Sequence, residues 1–389
     1  MRVRRIRVYV VESGGLRPVI LEMTTDDGTV GLGEAALAYG LGGTAAAAMI
    51  GELCERCVLG RDPFRIEAIW SEMVDQSFWA KGGGPVVFAA MSAIEQALVD
   101  IKARALGVPA YDLLGGRVHD ALPAYANGWY FGCTDAADLP RFAAAAVADG
   151  YDALKAYPLA TILETGRLRH PSRRGVSDGD LRRRGVAVVA ALRAALGPGP
   201  SLMLDLSGGL TPDETIRFCR EVEDFDIAFV EEPADPFDPQ ALAKIAAGIS
   251  QPIAVGERVY TRYGFRDLLA GRAIDILQPD LGNTGGILEG RKIAAMAEAY
   301  GVKVQPHVCA SALSTAIAMH FSAATPNIAL QEHFPYWARI PGHTELLENP
   351  IEERVSGGTI PVLDAAGYGV TLRADVLGDC RRVELRAPA

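Results

Sequence analysis

The chain has no basic face, no long apolar span and no cysteine framework, and each absence removes a class of function. Lys and Arg number 38 against 48 Asp and Glu, a net charge of −10. That balance argues against a nucleic-acid partner, which needs clustered cations to meet phosphates. One basic stretch, Arg167 to Arg174 followed by Arg182 to Arg184, is interrupted by Asp178 and Asp180 and reads as a solvated loop and helix start. No window approaches 18 uninterrupted apolar residues, and the opening M-R-V-R-R-I-R has no apolar signal core. The expectation is a cytoplasmic protein without membrane contact. Six cysteines lie scattered at 54, 57, 133, 219, 309 and 380, a usage that fits a reducing compartment. Cys54 and Cys57 form a lone C-x-x-C with no second pair at zinc-ribbon spacing, so a packed helix face is expected there.

A chain of 389 residues, 49% apolar and 22% charged, can bury a large core and fits two domains, one of them a barrel. Residues 1 to about 35 alternate apolar and polar, with Asp26-Asp27-Gly28 as a hairpin turn. From Gly43 to about Leu114 the apolar spacing becomes helical, most clearly over Ala89–Leu106. After Val118, eight short apolar runs alternate with helical stretches of 10–15 residues. The runs are Leu122–Ala126, Ala153–Lys155, Leu202–Asp205, Ile227–Glu231, Ile253–Val255, Ile274–Gln278, Val302–Gln305 and Ile328–Gln331. This rhythm predicts an α/β fold: a (β/α)₈ TIM-like barrel over 119–339. An α+β capping domain is expected from residues 1–118 and the turn-rich tail 340–389.

Three of the runs end in an acid: Asp205, Glu231 and Glu257, each 26 residues after the last. Successive parallel strands would carry these carboxylates to one point at the barrel mouth. Three carboxylates are what a hard divalent cation such as Mg²⁺ requires, with water and substrate oxygens completing its octahedron. The next two runs lead into Pro279-Asp280 and Pro306-His307. Neighbouring strands would set Asp280 beside His307, fixing the imidazole tautomer and raising its pKa, as an oriented base needs. Lys155 and Tyr157, at i and i+2, should face the same way beside the carboxylates. There Lys155 would be held cationic and could grip a substrate carboxylate. Glu332 is expected just past the eighth strand, facing the site as a proton-sharing acid.

With these motifs in place the chain resembles the enolase superfamily, in its mandelate racemase-like group, over nearly its whole length. The likeness rests on A-L-V-D-I-K and L-L-G-G in the first region, then D-L-S, V-E-E-P, V-G-E-R, Q-P-D and Q-P-H. It implies one Mg²⁺ held by Asp205, Glu231 and Glu257, and an Asp280–His307 base dyad that abstracts a proton α to a carboxylate. It also implies that Glu332 hydrogen-bonds the substrate carboxylate and that the first domain supplies specificity loops, around 12–18, 37–45 and 78–85.

Two departures shape the expected reaction. The racemase-like pattern ends its second strand in Lys-x-Lys, whereas Tyr157 stands in the second place here, and an unperturbed phenol with a pKa of ~10 is a poor base at neutral pH. A small register error would instead make Lys155 the second base. The stretch G-E-R-V-Y-T-R-Y is similar to galactonate-type dehydratases, which tend to carry a histidine two residues after the first metal ligand. Ser207 is there instead, so His307 or Tyr157 would have to protonate a departing hydroxyl.

The resulting expectation is a lyase that dehydrates a sugar acid, an aldonate or aldarate, to its 2-keto-3-deoxy product, its single strong base favouring syn elimination. The alternative is a racemase, epimerase or cycloisomerase using the same intermediate; a catalytically silent scaffold is the non-enzymatic rival. Substrate contacts are expected from Arg258, Glu232, His333, Tyr39 and Trp79, with Arg262 a further candidate. A homo-oligomer acting on a small-molecule carboxylate is expected.

Overall fold

The computed structural model describes residues 1–163, 168–171, 176–236, 238–378 and 380–387. Its first part is an antiparallel sheet in which Val3–Val10, Val19–Thr25 and Val30–Ala35 follow one another, and the tail strand Arg381–Arg386 pairs with the first. Helices Gly43–Cys57, Ile66–Gln76 and Pro85–Leu106 follow. Cys54 and Cys57 both point into the packed face of their helix.

Eight parallel strands then form the barrel: Ala121–Ala126, Ala153–Ala156, Ser201–Asp205, Ile227–Glu231, Ile253–Val255, Ile276–Leu277, Lys303–Val304 and Gln331–His333. The first pairs with the eighth, and a parallel bridge between Val304 and Ile328 joins the seventh to the segment entering the eighth. The eighth strand lies three residues later than its apolar run, because Gln331–His333 is what pairs with Ala124–Ala126. Glu332 is therefore inside a strand and not beyond it. The tail is shared: Thr359–Pro361 pairs antiparallel with the first barrel strand, while Arg381–Arg386 joins the other sheet. Among the described residues no helix is long and apolar enough to cross a membrane.

Helix Pro85–Leu106 joins the two parts. Nearly every residue from Phe88 to Ile101 is buried, as befits a helix covered on all sides. Its few polar side chains each satisfy a backbone group of another element, as buried polar atoms must. Ser92 Oγ accepts from Gly285 N at 2.8 Å, and Glu95 accepts from Ile287 N at 2.7 Å and Leu288 N at 2.8 Å, holding the start of a barrel helix. Gln96 donates to Leu281 O and accepts from Glu34 N, while Asp100 accepts from Leu32 N and Tyr368 N. The Glu34 carboxylate, also fully buried, caps barrel helix Ala312–Ala323 through both Ser311 and Ser314. These bonds fix the loop after Ala35 at the barrel mouth, where Ala36 N donates to Gly282 O.

The helix lies on the sheet so closely that a Cβ on Gly33 would stand 2.0 Å from Ala93 O. Gly33→Ala should therefore lower the denaturant midpoint by about 1–3 kcal/mol of stability, read by chemical unfolding. A wild-type midpoint would show that helix and sheet separate readily.

Candidate active site

The third, fourth and fifth barrel strands deliver Asp205, Glu231 and Glu257 to the same end of the barrel. Asp205 and Glu231 are register partners on adjacent strands. Glu257 follows Gly256, whose φ of 144° and close approach to the Gln278 backbone exclude a side chain. Asp205 Oδ1 accepts from Ser207 N at 2.7 Å and Ser207 Oγ at 2.9 Å. Glu231 accepts from Lys155 Nζ at 2.5 Å and Gln278 Nε2 at 2.6 Å.

Asp280 and His307 stand together on the sixth and seventh strand ends. His307 Nδ1 lies 2.7 Å from Asp280 Oδ2, and the other Asp280 oxygen accepts from Gly282 N. His307 Nε2 lies 3.2 Å from Glu257 Oε2. Burial by itself would lower the imidazole pKa, but the Glu257 carboxylate and the Asp280 hydrogen bond carry it up to about 10.

Lys155 has no exposed surface and is clamped between Glu231 and Glu332, the latter at 2.9 Å. Burial opposes its charge, yet the two carboxylates hold its pKa well above the ordinary lysine range. Its ammonium is thus engaged by two protein carboxylates, where the sequence reading has it gripping a substrate carboxylate. Glu332 also has both oxygens committed, one to Lys155 and Asn127 Nδ2 and the other to Val308 N. Despite burial, Lys155 and His307 keep its pKa below the ordinary carboxylate range. The Tyr157 phenol is pushed well above its usual pKa, by burial first, and accepts a hydrogen bond from Asn127.

Several expected contacts lie elsewhere. Glu232 is buried beneath Arg258, accepting from both Nε and Nη2 and from Gly256 N, so it positions Arg258 and is itself closed to substrate. Arg258 remains partly exposed at the rim. His333, one residue along from Glu332, points to the opposite face of its strand. There it stacks on Tyr151 and bonds its hydroxyl, away from the mouth. Arg262 pairs with Glu289 and lies over the Trp70 ring. Arg182 ties to Glu214 and Glu221. Tyr39 is half exposed and meets the edge of the His170 ring. The side chain of Trp79, with Arg167, Arg173 and Arg174, lies outside the described residues.

Two site residues have no signal in their local sequence. Asn127, fully buried past the first strand, links Tyr157 to Glu332. Its place just after the Leu122–Ala126 run is the one feature that could have flagged it. His170 lies in the connection after the second strand, with Nδ1 3.2 Å from Ser207 Oγ.

As they stand, no three acidic, imidazole or thiol groups among the described residues converge on one point, since Glu231 turns to Lys155 and Glu257 to His307. The donor set nevertheless fits a divalent cation. Burial pushes Asp205 and Glu231 each up to about 7; Lys155 opposes the rise, whereas repulsion from Glu257 and Asp205 respectively adds to it. More carboxylate is gathered here than one lysine balances, and hard oxygen donors with unbalanced charge suit Mg²⁺. Lys155→Met should leave two buried acids uncompensated and cost about 3–5 kcal/mol, measured by chemical unfolding. A neutral effect would contradict the clamp.

Comparison with known proteins agrees with this architecture. The pattern of the mandelate racemase / muconate lactonizing enzyme N-terminal domain matches residues 7–115, and that of the enolase C-terminal domain-like family matches residues 138–376. D-galactonate dehydratase of Ralstonia pickettii (strain 12J) is 33% identical over 379 residues, covering 96% of this chain and 92% of its own. D-gluconate dehydratase of Thermoproteus tenax is 32% identical over 363 residues, 92% of this chain and 69% of its own. The crystal structure of a provisionally named dehydratase from Mesorhizobium loti superposes with a TM-score of 0.94 at 47% identity, covering 99% of this chain and 100% of that one. By sequence pattern over both parts of the fold and by its barrel, the chain belongs to the enolase superfamily, within the group of mandelate racemase and muconate lactonizing enzyme.

Proposed function

We propose that the protein is a Mg²⁺-dependent hydro-lyase that removes water from a sugar acid to give a 2-keto-3-deoxy acid. The observation that carries this reading is an oriented base, His307 on Asp280, facing three carboxylates, with neither Lys155 nor Tyr157 of the second strand able to serve as its counterpart. The likeness to D-galactonate and D-gluconate dehydratases supports the same reading.

Asp205, Glu231 and Glu257 would hold the cation. When bound, it stabilises the negative charge that develops on the substrate carboxylate, worth several kcal/mol. His307 Nε2 would take the α-proton once Glu257, whose charge holds a proton on the ring, is engaged as a ligand, while Asp280 holds Nδ1–H and orients the imidazole. Lys155 favours the ionised forms of Glu231 and Glu332 from below, against the burial that opposes them. Arg258, braced by Glu232, offers a cation at the rim for a hydroxyl or a distal carboxylate. Racemisation would need a second acid or base of comparable strength on the other face. Lys155 is pinned as a cation and Tyr157 is pushed above its ordinary range, so neither supplies it.

Incubation with Mg²⁺ and a panel of acid sugars including D-galactonate and D-gluconate should release a 2-keto-3-deoxy acid from at least one. An epimer with no such product would overturn the dehydratase reading. Glu257→Gln should weaken Mg²⁺ binding by about 10²-fold or more, read by calorimetry, with the fold intact by circular dichroism. Unchanged affinity would remove Glu257 from the ligand set. His307→Asn should slow exchange of the substrate α-proton with D₂O by about 10²–10⁴-fold; continued exchange would place the base elsewhere.

A further inference from the structure

Dehydration needs an acid for the departing hydroxyl, and the residue two places beyond the first carboxylate is a serine. Ser207 cannot donate a proton to a leaving group at neutral pH, yet it is held in the left-handed region at φ 50°, an unusual conformation for a non-glycine residue. Its hydroxyl donates to Asp205 Oδ1 at 2.9 Å. With that proton committed, the 3.2 Å contact with His170 Nδ1 requires the imidazole to donate. The Nδ1–H is thereby fixed, and Nε2 is the ring atom left to gain or lose a proton.

Three separate contacts set this ring in place. Tyr39, from the loop that the first domain lays on the barrel mouth, meets it edge-on with centroids 5.7 Å apart. Tyr157 at the end of the second strand meets it similarly at 6.2 Å. Ser207 at the end of the third strand holds Nδ1, and the Arg258 guanidinium beyond the fifth strand acts on its charge. The ring still keeps an exposed face. Crowding by protein, and then Arg258, lower its pKa from the ordinary imidazole range. The ring is therefore mostly neutral in the free protein and must draw a proton onto Nε2 when an anionic substrate binds, after which it gives that proton up readily. In a ring of eight strands the third and seventh stand opposite, which puts His170 across the mouth from His307, an arrangement for anti elimination where the sequence reading expects syn.

From this geometry we infer that His170 is the general acid of the elimination, supplied by the connection after the second strand in place of a histidine on the third. Resting on the dehydratase reading above, the step balances as follows. His307 takes the α-proton, the C–O bond to the β-hydroxyl breaks, and the His170 Nε2 proton leaves with that oxygen as water. The resulting enol takes a proton at the β-carbon and loses one from oxygen to become the ketone. His307 and His170 return to their starting states by exchange of one proton through solvent.

The test uses the sugar acid that the wild-type protein dehydrates best and its analogue with fluorine in place of the β-hydroxyl, since fluoride departs without a proton. His170→Asn and His170→Gln should each lower kcat on the hydroxy acid by about 10²-fold or more, stay within about tenfold of wild type on the fluoro acid, and retain α-proton exchange in D₂O. An equal loss on both substrates, or wild-type turnover of the hydroxy acid, would overturn the assignment. Failure of the wild-type protein to dehydrate any sugar acid would instead refute the parent reading, so the two failures are distinguishable.

Discussion

A lysine with no exposed surface, clamped between two glutamates inside a barrel, is the interaction from which the site is built. Lys155 comes from the second strand, Glu231 from the fourth and Glu332 from the eighth, so their charges cross the ring and lock its interior. Removing an ammonium and two carboxylates from water is expensive unless each remaining lone pair is used. They are used here: Gln278 and the Val308 amide take the oxygens that Lys155 does not, and Asn127 adds a second bond to the Glu332 oxygen that Lys155 holds. The clamp is one positive charge short of its two acids, and Asp205 and Glu257 add to the deficit at the same end. That imbalance is what the proposed divalent cation would offset.

The second constraint is the polar ladder of helix Pro85–Leu106. A wholly apolar helix would pack against both sheet and barrel, but it could slide between alternative seatings. Ser92, Glu95, Gln96 and Asp100 each bond a particular backbone group of the opposite element, and a shift of one turn would orphan several buried donors. That registration fixes where the loop after Ala35 reaches the mouth, and so where Tyr39 meets His170. The first domain therefore shapes the rim of the barrel mouth while the barrel strands supply its charged side chains.

Where reading along the chain went astray, the reason is the direction of side chains. His333 follows Glu332, so proximity in sequence made it a candidate contact, yet a strand sends adjacent residues to opposite faces. Glu232 follows Glu231 and is likewise turned from the mouth, in a left-handed conformation that aims it at Arg258. The eighth strand was expected at an apolar run, whereas hydrogen bonding to the first strand favoured the polar Gln331–His333. Burial of Lys155 depends on partners 76 and 177 residues away in the chain, and no local pattern announces them.

The alternation of short apolar runs with helical stretches was enough to determine a barrel, because only parallel strands with helical crossovers bury such runs on both sides. The 26-residue period of Asp205, Glu231 and Glu257, and the adjacent Asp280 and His307, followed from the same rhythm, since each βα unit repeats the position of a strand end. Tertiary structure alone decided which oxygens are already spoken for. It sealed Lys155 and Glu332 into one clamp, turned Glu232 under Arg258, and brought Asn127 and His170 to the site from connections with no motif. Hydrogen bonds between distant residues depend on how loops close in three dimensions, and periodicity along one dimension carries no record of that closure.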